Sequence, residues 1–85
     1  MIRVLFLAQL REQVGTAEIQ IPTADLDAVK TIAALKDYLV NKNPAWEPHL
    51  ANSKLLVAIN HEYARTEVAI KDGDEIAFFP PVTGG

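Results

Sequence analysis

The residues with the most suggestive chemistry stand at the end of the sequence, Pro80-Pro81-Val82-Thr83-Gly84-Gly85. Two adjacent prolines favour a stiff, extended segment. Gly84 and Gly85 carry no side chain, so their backbone can enter a narrow channel. An α-carboxylate titrates near ~3.5 and resists nucleophiles at neutral pH. To react at Gly85 it needs a better leaving group, most simply AMP taken from ATP. The sequence has no G-x-x-x-x-G-K-[ST] or G-x-G-x-x-G stretch to hold a nucleotide. The activating site is therefore expected on another protein. With no cysteine in the chain, any sulfur reaching Gly85 must also come from outside. Glycine-containing ends are common and uninformative alone. The weight of this one lies in its position, directly after the last expected strand.

Other candidate chemistry is thin. His49 and His61 are far apart, with no H-E-x-x-H spacing, and read as surface or turn residues rather than metal ligands. No metal site is expected, and no cofactor bound by this chain. Ser53 has no G-x-S-x-G setting, which argues against an independent hydrolase. Asp72, Asp74 and Glu75 cluster, but turn formation and solvation account for them, and the loop lacks the EF-hand ligand pattern. The net charge is −3 and the eight Lys and Arg are scattered, so no nucleic-acid footprint is expected. No apolar run approaches the ~18 residues of a membrane span. The first residues do not resemble a secretory leader. Absence of cysteine excludes a disulfide scaffold and suits a reducing compartment, so the expected location is cytoplasmic.

The elements that must position the tail can be read from periodicity. Eighty-five residues, 49% hydrophobic and 22% charged, suit one folded domain with a dense core. Met1–Ala8 reads as a strand with Ile2, Val4, Phe6 and Ala8 on one face. Leu10–Val14 reads as a helical turn closed by Gly15, and Glu18–Ile21 as a second strand, antiparallel to the first. The spacing of Val29, Ile32, Leu35 and Leu39 predicts one long helix over about 29–43, its start falling between residues 24 and 31. Thr31 is a candidate cap, and Thr23 or Asp25 could cap an earlier turn. Trp46 is expected to cover one end of the core.

Leu55–Asn60 reads as a third strand. Asn60-His61 turns into a short strand near Tyr63–Arg65. Lys71–Asp74 is a turn with Gly73 at positive φ. Glu75–Phe79 is the last strand, ended by Pro80. The order β, β, α, β, short β, β predicts an α+β fold of the ubiquitin-like β-grasp type, a mixed sheet with one principal helix on one face. The domain is expected to span 1–79, with 80–85 an extended, flexible tail.

A two-layer fold needs apolar residues on one sheet face only. Here Leu5, Leu7, Leu56, Ala58 and Phe79 fall on the other face, and Tyr63 extends it. Such a surplus marks a protein interface, unless loops or chain ends cover it.

The segments FLAQLREQVGT at 6–16, KLLVAIN at 54–60 and DGDEIAFFPPVTGG at 72–85 resemble the molybdopterin synthase small subunit (MoaD) family of sulfur carriers over essentially the whole chain. The resemblance implies that an adenylating enzyme related to ubiquitin-activating enzymes joins Gly85 to AMP at the expense of ATP. An external persulfide donor then leaves a thiocarboxylate at Gly85. It implies that Pro80, Pro81, Val82, Thr83 and Gly84 insert into the synthase large subunit, where the sulfur passes to cyclic pyranopterin monophosphate. Leu5, Leu7, Leu56, Tyr63 and Phe79 would dock both partners in turn. The chain is then no enzyme alone, but the sulfur-donating subunit of a two-subunit sulfurtransferase. Two alternatives stay open: a carrier for thiamine thiazole or cysteine synthesis, and a ubiquitin-like modifier attached to lysines.

Overall fold

A computed structural model of the chain describes residues 1–52 and 54–81. Five strands form one sheet: β1 (Ile2–Phe6), β2 (Glu18–Ile21), β3 (Leu56–Ile59), β4 (Glu62–Tyr63) and β5 (Glu75–Phe79), in the order β2-β1-β5-β3-β4. β1 runs antiparallel to β2 and parallel to β5, while β3 runs antiparallel to β4 and β5. Helix α1 (Gln9–Val14) joins β1 to β2 and ends at Gly15, whose φ of 82° is left-handed. The principal helix α2 (Ile32–Lys42) buries Ile32, Leu35 and Leu39, and the one-turn helix α3 (Glu47–Leu50) buries Leu50. A mixed sheet with one principal helix is the β-grasp arrangement that the element order predicts.

Alternation builds the core. Ile2, Val4, Phe6, Ile76 and Phe78 are fully buried with Ile21, Val57, Leu10 and the apolar stripe of α2. Phe6 anchors it: its ring stacks on Phe78 with centroids 6.3 Å apart and meets the edge of Trp46 at 5.3 Å. Trp46 thus covers one end of the core, as its position in the sequence suggests. Asp74 is buried in the turn before β5, accepting from the Lys71 amide at 2.8 Å and from Asn60 Nδ2 at 3.0 Å. No helix among the described residues is long and apolar enough to cross a membrane.

Three sequence expectations are corrected. Ala8 does not continue the inner face of β1: it is exposed, with φ 54° and ψ −137°, because the chain turns there into α1. α2 begins at Ile32 rather than near Val29. Val29 is buried as expected, yet it closes a 3₁₀ segment, Thr23–Ala28, by donating to the Leu26 carbonyl. Thr31 is extended, bridges to Ala69, and accepts the Ala34 amide at 3.1 Å through its hydroxyl, which caps the helix there. β4 covers Glu62–Tyr63 and stops before Ala64 and Arg65.

Candidate functional site

The site is the sheet face turned away from α2, together with the point where the chain leaves β5. β5 lies between β1 and β3, so the chain exits from the middle of the sheet. The Leu7 amide donates to the Phe78 carbonyl at 3.0 Å, carrying the parallel ladder past β1. On the other side Leu56 pairs with Phe79. Pro80 has no amide to give, and the ladder ends.

The outward side chains line up in rows across the strands. Nearest the exit are Leu7, Phe79 and Leu56; next come Leu5, Ala77, Ala58 and Tyr63, joined by the pairings Leu5↔Ala77, Ala77↔Ala58 and Ala58↔Tyr63. Tyr63 is 79% exposed and Leu7 42%, while Leu5, Leu56 and Phe79 are half-buried. The Tyr63 and Phe79 rings lie 5.8 Å apart, tilted by 53°. Ala77 and Ala58 form a low floor between Leu5 and this aromatic pair. All five predicted interface residues therefore share one surface. Ala77 escaped notice as a site residue, although strand alternation places it between outward Glu75 and Phe79.

The far end of the same face is charged. Arg3 donates through Nε and Nη2 to Glu18 at 3.1 and 3.2 Å, and through Nη1 to Glu75 at 3.1 Å. His61 Nε2 lies 3.8 Å from the other Glu75 oxygen. The hydrogen bond and charge of Glu18 hold the guanidinium above its ordinary value, and the bond from Arg3 holds the Glu18 carboxyl below its own. The surface is thus polarised along the strands: an ion-paired end, and an apolar end at the chain exit. Sequence alternation gives Arg3 and Glu75 their outward direction but not their pairing, which depends on β1 lying beside β5.

Pro80 and Pro81 are half-buried at the exit. Val82, Thr83, Gly84 and Gly85 lie outside the described residues. Among the described residues no group of three or more His, Asp or Glu converges on a point that could hold a metal. The face offers apolar contact at the chain exit and ion pairs among Arg3, Glu18, Glu75 and His61 at its far end.

The ThiS family model matches residues 4–85. The chain is 48% identical to the molybdopterin synthase sulfur carrier subunit of Haemophilus influenzae over 85 residues, covering the whole of both chains. It is 44% identical to the subunit of the same name from Escherichia coli, again over the whole of both. Among solved structures, the small archaeal modifier protein 1 of H. volcanii superposes with a TM-score of 0.78 at 30% identity, covering 95% of this chain and 97% of that one.

Proposed function

The chain belongs to the ThiS family, and on that premise we propose that it is the sulfur carrier subunit of a molybdopterin synthase. The observation that carries this reading is the end-to-end similarity to two sulfur carrier subunits of that enzyme, at 48% and 44% identity. The polarised outer face supports it, because a carrier must be held by its partners while its tail reaches their sites.

In this reading Gly85 is the reacting residue. An adenylating enzyme joins its carboxylate to the α-phosphate of ATP with loss of pyrophosphate. The outer sulfur of an external persulfide donor then displaces AMP to give an acyl disulfide, and a thiol reductant cleaves its S–S bond to leave the thiocarboxylate. Sulfur is the better nucleophile, and enclosure within the large subunit keeps water from the activated acyl carbon. The large subunit supplies the substrate pocket and the acids and bases. Leu7, Phe79, Leu56, Leu5 and Tyr63 dock the carrier, and Pro80 to Gly84 extend the reacting end away from it. The two partners share this surface, so they bind in turn. Residues 1–79 act as the body and 80–85 as the delivering arm.

The test is intact mass after incubation with a cognate adenylating enzyme, ATP and a sulfur source. The expected result is exchange of one oxygen for sulfur at Gly85, absent when Gly85 is deleted, followed by sulfur transfer once the large subunit is added. An unchanged mass, with the adenylating enzyme active on another carrier, would overturn the reading. Transfer with a thiazole synthase but not with a molybdopterin synthase large subunit would move the carrier to another product.

A further inference from the structure

We propose that Pro80 is a positioning residue for the reacting end: it withholds the one amide that β1 is set to receive, and so keeps the chain beyond β5 off the sheet. The hydrogen-bond geometry stands by itself, while its consequence for the reaction rests on the carrier reading above.

The register identifies the missing rung. In a parallel ladder a residue donates to the residue before its partner and accepts from the residue after it. β1 and β5 keep that pattern throughout. It runs from Arg3, whose amide donates to the Asp74 carbonyl at 3.1 Å, to Leu7, whose amide donates to the Phe78 carbonyl at 3.0 Å. The next bond in the series would run from the amide of residue 80 to the Leu7 carbonyl. Residue 80 is proline and has no N–H. No backbone amide among the described residues donates to the Leu7 carbonyl instead. Leu7 turns its amide to β5, and in an extended residue the carbonyl shares that direction.

The other flank is already closed. The antiparallel pair Leu56↔Phe79 would next be followed by Lys54 opposite residue 81. There the chain has turned away: the Lys54 amide donates to Asn52 Oδ1 at 2.9 Å, and the Leu55 amide to the Asn52 carbonyl at 3.0 Å. Pro81 therefore withholds a donor that β3 no longer meets, whereas Pro80 withholds one that β1 would accept. The two prolines are alike in sequence and differ in what they face.

Withholding this bond matters for a residue that has to be delivered. A ladder bond would hold position 80 in line beside Leu7. The proline ring instead fixes φ near about −65°, away from the roughly −120° of a parallel strand. The chain is thus turned off the line of β5 next to Leu7 and Phe79, the outward residues nearest the exit. A carrier laddered at position 80 would hold its tail to the sheet, and apparent affinity falls with the fraction of molecules in the competent form.

The experiment compares P80A and P81A in the full chain. Each variant gives up one ring and gains one amide, so both loosen the tail alike. Amide exchange followed by NMR should show the new amide at position 80 protected about fivefold more than the new amide at position 81, the factor expected of one net hydrogen bond. The Phe78 amide, unchanged in both, serves as the control for folding. In adenylation by the cognate enzyme, P80A should raise the KM for the carrier by about the same fivefold with kcat unchanged, because both readouts report one equilibrium. P81A should leave both constants near those of the parent chain. Equal exchange at the two positions overturns the proposal, and so does an equal KM, which would mean that the prolines act only by stiffening the tail. Loss of Phe78 protection in P80A also overturns it, since the proline would then be holding β5 itself in place. If the parent chain is not adenylated, the carrier reading falls, and exchange at position 80 still decides whether Pro80 silences the rung to Leu7.

Discussion

Tyr63 and Phe79 meet diagonally across β3, their ring centroids 5.8 Å apart, with Phe79 in the row nearest the point where Pro80 ends the ladder and Tyr63 in the next. The pair joins a two-residue edge strand to the central strand from which the tail leaves. Its exposed member, Tyr63, has little packing to lose, so under the proposed docking its substitution should be felt in binding rather than in folding. Replacement of Leu7 by Asp or Tyr63 by Ala should weaken binding of the synthase large subunit at least tenfold, about 1.4 kcal/mol. Thermal unfolding should change little, because Tyr63 is largely in solvent and Leu7, also exposed, stands outside the core. Calorimetric titration beside a melting curve checks this. A melting point lowered as much as the affinity would place these residues in the core.

Adjacent residues of β5 should behave in opposite ways. Phe78 is fully buried against Phe6, while Phe79 is half-buried on the outer face. Phe78→Ala should cost about 3–5 kcal/mol, the range for an aromatic removed from a packed core. That is a large share of the roughly 5–15 kcal/mol available to a small domain. Phe79→Ala should cost clearly less, its main effect falling on partner binding. Denaturant titration of both variants, compared with large-subunit affinity, tests the division.

Much of this was readable because local punctuation and periodicity agreed. β2 and β5 lie where Gly15, Pro22, Gly73 and Pro80 bracket alternating residues, and their limits match the expected ones. The apolar surplus at Leu5, Leu7, Leu56 and Phe79 follows from alternation alone, since a period of two assigns each strand residue to a face. Ala8 and Val29 were misplaced for the same reason that the others were right. Apolar spacing reports burial and not φ, and at both positions the backbone leaves the regular element one or more residues from where the pattern stops. Thr31 was offered by the sequence as one of three candidate caps and is the one that caps α2; its bridge to Ala69, 38 positions away, lies beyond any local window. The Arg3–Glu18–Glu75 cluster is hidden likewise, being assembled from three strands. The expectation for Gly85 comes from residue types alone, and that residue lies outside the described residues.

Stability should fall in acid through Glu18. Its carboxyl is held below the ordinary 4.5 by the hydrogen bond and charge of Arg3. The folded state therefore binds the proton less readily than the unfolded state does. The stabilisation is fully present above the unfolded value and is lost as the pH falls through the lower folded one. Glu18→Gln removes this contribution and should flatten the melting temperature between neutral pH and about pH 3. Both groups are exposed, so added salt should shrink the difference. An acid limb unchanged by the substitution would mean that Arg3 and Glu18 do not pair in solution.

The hairpin between β3 and β4 carries strain that one substitution should relieve. Its two-residue loop, Asn60-His61, has positive φ at both positions, 51° and 74°. Two such residues make a type I′ turn, whose twist matches the flanking strands and whose preferred sequence is Asn-Gly. Asn60 is well suited: left-handed backbone suits asparagine, and its side chain accepts the Glu75 amide at 3.0 Å while donating to Asp74. His61 has no such compensation, since its side chain is almost wholly in solvent and reaches only Glu75, at 3.8 Å. A left-handed conformation costs a residue with a Cβ roughly 1–2 kcal/mol, and glycine avoids that cost while losing more chain entropy on folding. The net effect of His61→Gly should be stabilising by about 0.5–1 kcal/mol, read as a higher denaturant midpoint with an unchanged slope. His61→Ala keeps the Cβ and removes only the imidazole, so it should leave the midpoint close to that of the parent chain. If the alanine variant gained as much as the glycine variant, the imidazole rather than the backbone would be the source of the strain.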